Sequence, residues 1–149
     1  MTDTAQAILV GTLACGILDA TAATIQAATL GLKPQRVWQT VASGLIGPRA
    51  FESGWATGIL GLALHFFISF VLATIYVLAS RRLPFLVDRP FLAGALYGIA
   101  VYLVMNHIVL PLSRRAKRPF SPHFAITQLV IHIFIVGWSI ALSARYLLH

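Results

Sequence analysis

Charge is what this chain has least of: charged residues fill only 10% of its 149 positions, and just four residues are acidic. Water-soluble domains carry about a quarter charged residues, so a soluble globular domain is excluded. Cysteine is almost missing as well. Cys15 stands alone, which rules out an internal disulfide, and its place in an apolar run marks it as a small buried hydrophobe. The chain has no GxSxG, P-loop, Rossmann glycine pattern, HExxH or CxxC, so the common soluble enzyme classes are removed. An intramembrane hydrolase would have Asp19 as its only acid within an apolar run, which is thin support for catalysis. The opening Met-Thr-Asp-Thr lacks a basic n-region and the apolar stretch behind it is too long for a leader, so no cleaved signal peptide is expected.

What fills the chain instead is hydrophobic: 58% of residues, with a mean hydropathy of +0.84. The apolar residues gather into four runs, at about 4–30, 54–80, 91–112 and 123–147. About 20 helical residues cross a hydrocarbon core of about 30 Å, so all four are long enough. Barrel strands would be short and alternating. The expectation is an all-α integral membrane protein, one membrane domain over 1–149, with four transmembrane helices in a bundle. Gly54, Gly58 and Gly61 share a face of the second run, and Gly94 and Gly98 a face of the third. Small residues at that spacing let helices approach closely in lipid.

The first loop holds its own pattern. In PQRVWQTVASGLIG the apolar residues Val37, Val41 and Leu45 recur every four, flanked by Trp38, Ala42 and Ile46, with Gln35, Arg36, Gln39, Thr40 and Ser43 opposite. This predicts an amphipathic helix over about 34–47, started by Pro34, lying in the interface with Trp38 at headgroup level. The net charge of +7 would point to nucleic acid in a soluble protein, but here the basic residues flank the spans. Arg114, Arg115, Lys117 and Arg118 read as contacts to anionic lipid headgroups, and nucleic acid is not expected. Loops one and three carry seven Lys and Arg and the opposite side four, which votes for those loops in the cytoplasm and both termini across from them.

Polar residues inside spans turn toward a bundle centre. Thr12, Asp19 and Gln26 form such a stripe on the first run; Gly58, Gly61, His65, Ser69 and Tyr76 on the second; Gly94, Gly98, Tyr102 and Asn106 on the third; Gln128, His132, Ser139 and Ser143 on the fourth. Counted from the ends that face loops one and three, Asp19, His65 and His132 all lie about ten residues in, or about 15 Å. An ionised side chain there costs about 2.5–3.5 kcal/mol on insertion scales, and pairing Asp19 with a histidine relieves it. Asn106, His107, Gln128 and Gln26 form a supporting polar cluster nearer the surface. Pro111, four residues after His107, cannot bond the His107 carbonyl, so it either frees that oxygen or helps end the third helix.

These residues resemble the uncharacterised YagU-like bacterial inner-membrane proteins. The likeness rests on HFFISFVLATIYVLA followed by the LPF connector, on FLAGALYG and HIVLPL, and on IHIFIVGWSI, covering roughly residues 64–145. It places His65, His107, His132 and Trp138 on family-like positions, and departs at Gln128, where the family pattern is acidic. The resemblance implies a multi-pass protein of the bacterial inner membrane with both termini in the cytoplasm, against the charge count, and implies no reaction.

Three functions fit these residues. The leading one is a small polytopic protein whose Asp19, His65 and His132 handle protons or a divalent metal ion, transporter-like or accessory, since histidine titrates near neutrality and ligates metals. An alternative is haem b held by His65 and His132 as axial ligands. The third is a non-catalytic scaffold that uses its glycine faces in a homo-oligomer or with a membrane-complex partner.

Overall fold

Backbone amides inside hydrocarbon have no water to bond, so each apolar run must close its hydrogen bonds within itself. In the computed structural model, which describes residues 2–117 and 119–148, all four runs are helices. They span Asp3–Thr29, Gly54–Ser80, Pro90–Leu112 and Pro122–Leu148, each long and apolar enough to cross a bilayer. The chain is therefore a multi-pass α-helical membrane protein. Its ends are punctuated by capping chemistry. Thr2 accepts from the Ala5 amide, and Ser121, just before Pro122, accepts from Phe124. Gly31, at φ +71°, closes the first span with bonds to the Ala28 and, through Leu32, the Ala27 carbonyls.

The first span packs between the second and the fourth, and the fourth also packs on the third. Gly11 marks the first of these seams, since a Cβ there would lie 3.4 Å from Ala73 of the second span and 3.7 Å from Ser143 of the fourth. The third and fourth spans press backbone to backbone, because a Cβ on Gly98 would overlap the His132 carbonyl and one on Gly137 the Gly94 carbonyl. In lipid such contact is what holds helices together, since burying apolar surface gains little there.

The two ends of the bundle differ. Around the connector at 81–89, Tyr76 donates to the Leu86 carbonyl at 2.8 Å, Tyr97 to Leu72 at 2.8 Å and Arg145 to Val87 at 3.3 Å. Ala7, Ala73, Ala93, Ala141 and Ala144 fill the interior there with no more than 1% exposure. Toward loops one and three the second and third spans draw apart, and side chains from both line a cavity.

Two spans are not regular α-helix throughout. The third widens into a π-turn over Met105–Val109 before Pro111 and ends at Leu112. The widening carries the helix past a residue that has no N–H for the His107 carbonyl. The fourth has a π-segment over His132–Gly137, where its backbone meets Gly94 and Gly98.

The loop-one helix forms over Pro34–Ile46, with proline in its first turn. Its orientation corrects the expectation for Trp38. The indole is turned inside, 8% exposed, together with Gln39, Ala42 and Ser43, while Leu45 is 53% exposed. The cause lies in the second span: Gly61 leaves room for the Trp38 carbonyl, and Gln39 Nε2 donates to the Gly54 carbonyl at 3.0 Å. The face bearing Trp38, Gln39, Ala42 and Ser43 thus meets protein, while Val37 and Val41 are half-buried and Leu45 is exposed.

Candidate functional site

The cavity between the second and third spans has a volume of about 320 Å³ and is roofed by Thr40, Val41, Gly44 and Leu45 of the loop-one helix. Leu72, Val101 and Val136 floor it, and beyond them the interior is closed by Tyr76, Val77 and Ile140, all at most 1% exposed. Ser113 and Arg115, at the loop-three end of the third span, line its outer edge. Asp19, His65 and His132 all line it, so the fold does bring together the acid and the two imidazoles from one level of three spans.

His65 is held from both ends. Its Nε2 lies 2.9 Å from the Gly16 carbonyl and its Nδ1 3.8 Å from Asp19 Oδ2, while the ring packs on Trp38 with centroids 5.5 Å apart. A carbonyl only accepts, so Nε2 carries the hydrogen and Nδ1 faces the carboxylate. One further proton decides the state of the pair. Placed on Nδ1 it makes an imidazolium beside a carboxylate, and placed on Asp19 it leaves two neutral groups. The side chains are 12% and 26% exposed for His65 and Asp19, so the carboxylate is the more open of the two to the cavity.

His132 takes the opposite tautomer. Its Nδ1 donates to the Gln128 carbonyl at 2.8 Å, and the ring stands edge-on to Tyr102 at 5.7 Å. Its Nε2 is left as a lone pair with no hydrogen-bond partner among the described residues.

The surface-proximal cluster divides. Asn106, His107 and Gln128 line a second cavity of about 490 Å³ with Tyr102, Lys117 and Phe124. His107 is exposed and bonds only its own Leu103 carbonyl at 3.1 Å, and Asn106 bonds the Tyr102 carbonyl, so neither reaches Asp19. Gln128 does cross the bundle, donating to Gln26 at 2.8 Å. Of the basic residues in loop three, Arg114 and Lys117 are exposed, and Arg115 borders both cavities. Arg118 lies outside the described residues.

Three participants were not anticipated. Cys15, read as a mere filler, lines the main cavity, and its spacing of four from Asp19 signals the shared face. The Gly16 carbonyl has no sequence signal. Trp38 could not be assigned inward from the amphipathic pattern alone.

Metal and haem make specific demands on these groups. Among the described residues no three His, Cys, Asp or Glu side chains gather closely enough to hold a metal ion, so Asp19, His65 and His132 share a cavity without forming a ligand triad. Axial ligation by His65 would need a nitrogen lone pair aimed at iron. Nε2 gives its hydrogen to Gly16, and Nδ1 faces the Asp19 carboxylate 3.8 Å away with no room for a porphyrin between them, so the residues do not fit that group. Fold and site together define a class: a four-span membrane bundle with an acid- and imidazole-lined cavity. Comparison with protein families, with curated proteins and with solved structures finds no match for the chain.

Proposed function

We propose that the protein handles protons within the membrane, as a small transporter-like or accessory subunit in which the Asp19–His65 pair takes up and releases a proton. The observation that carries this is the fixing of His65 by the Gly16 carbonyl, which leaves Nδ1 facing the Asp19 carboxylate at ion-pair distance, 3.8 Å. The Asp19 side chain is 26% exposed and lines the cavity with Arg115, so the pair can exchange protons through that space. Kinship with the YagU-like proteins and a place in the bacterial inner membrane, both termini on one side, belong to the same proposal and rest on the motifs quoted above. Anionic headgroups would meet Arg114 and Lys117.

Infrared difference spectroscopy on protein reconstituted in vesicles tests the reading. On acidification the wild type should develop a protonated-carboxyl band that Asp19→Asn lacks and that titrates at a different pH in His65→Ala. Superimposable spectra from all three chains would refute it.

A further inference from the structure

The main cavity has an unusual hydrogen-bonding polarity. Ser69 gives its hydroxyl hydrogen to the His65 carbonyl at 3.0 Å, Thr40 to Arg36 at 2.7 Å and Ser113 to Leu110 at 2.8 Å. His65 gives its Nε2 hydrogen to Gly16 and His132 its Nδ1 hydrogen to Gln128. Each of these donors is thus satisfied by backbone, and what each lining group keeps for the cavity is a lone pair. Asp19 adds a carboxylate. The Cys15 thiol adjoins the Ser69 and Ser139 hydroxyls, and Arg115, which has an interaction of its own, is the one cationic side chain in the lining.

From this we infer that the cavity binds a protonated amine with an apolar body, exchanging it for the proton of the Asp19–His65 pair. The inference rests on the proton reading and names what that site takes. An ammonium group brings N–H hydrogens to these lone pairs and positive charge to the Asp19 carboxylate, while the aliphatic walls accept the body and the volume suits a small molecule. Electroneutrality sets the exchange. When the ammonium pairs with the Asp19 carboxylate, the one proton that the Asp19–His65 pair had held is released to water, and His65 stays bonded to Gly16 through Nε2. One positive charge enters and one leaves. The titratable groups facing the pair are Cys15 on the first span, His132 on the fourth and Arg115 at the outer edge, and the loop-one helix offers none among its lining residues. A carboxylate or phosphate would meet lone pairs and Asp19. A quaternary ammonium would bring charge with no N–H to donate.

Calorimetric titration of the full chain in detergent micelles, with hexylamine, hexyltrimethylammonium and hexanoate in buffers of different ionisation enthalpy, tests this. Hexylamine should bind, release about one proton per molecule, and bind about tenfold or more tightly than the trimethyl analogue, the worth of a charged hydrogen bond. Hexanoate should not bind. Asp19→Asn should lose the amine signal, and because the comparison of head groups uses the wild-type chain it holds even where that variant misfolds. Equal affinity for the two cations, binding without proton release, or binding of hexanoate overturns the inference. An Asp19 that titrates in the infrared with no amine bound overturns it alone, and an Asp19 that never titrates takes the proton reading with it.

Discussion

Replacing Gly98 by alanine adds a single methyl at the tightest part of the bundle. Its Cβ would stand 2.7 Å from both the His132 carbonyl carbon and the Ile133 Cα, and would overlap the His132 oxygen. All three obstacles are backbone, so no rotamer change relieves them and the third and fourth spans must part by about 1 Å, a gap that forfeits a quarter to a half of the dispersion between facing atoms. Overpacking of this kind costs up to about 3 kcal/mol, and the better helix propensity of alanine returns up to about 1 kcal/mol. The expected net loss is about 2 kcal/mol. Gly58→Ala supplies the control, because its Cβ would meet only the Trp55 ring at 3.2 Å and the Gln35 side chain at 3.9 Å, both able to swing aside. That variant should match the wild type or gain up to about 1 kcal/mol. Equilibrium unfolding in mixed micelles of rising SDS fraction, followed by helical circular dichroism, measures both. A Gly98→Ala chain as stable as Gly58→Ala would show that the close approach of the two spans is not what holds them.

Two further outcomes are expected. Gln128→Leu removes the donor to Gln26 across the bundle, a membrane hydrogen bond worth about 0.6 to 2 kcal/mol, and Gln26→Leu should cost the same with no added loss in the double variant, whereas additive losses would mean the pair is not coupled. Trp38→Ala strips the ring from His65 and leaves a void under the loop-one helix, so a destabilisation of about 3–5 kcal/mol should appear in the same unfolding assay; a loss below about 1 kcal/mol would place Trp38 at the lipid surface after all.

The spans could be read from the chain because length and apolarity decide whether a helix crosses a bilayer, and nothing in the interior has to be known for that. That Asp19, His65 and His132 border one cavity was partly legible, since polar residues inside spans turn toward a shared interior. What failed was the identity of the inward face on the loop-one helix. Hydrophobicity marks a buried face when the outside is water, but lipid is as apolar as leucine, and so Leu45 stays out while Trp38, Gln39 and Ser43 go in. The fate of His107 shows the same gap, because a π-turn beginning at Met105 shifts the register of everything after it. Pro111 hinted at that turn. Nothing in HIFIVG announced the second one, which answers to glycines on a different helix.

The uneven filling of the two ends has a consequence for how this chain can vary. At the connector end, where alanines are sealed in at 1% exposure or less, any enlargement collides with a neighbouring helix and the permitted alphabet is short. Beside the open end, Leu64, Ile68 and Val109 border empty volume, and there bulk can be added or trimmed at little expense to folding. Related chains would therefore be alike in the half that only holds them together and diverse around the half that borders the cavity.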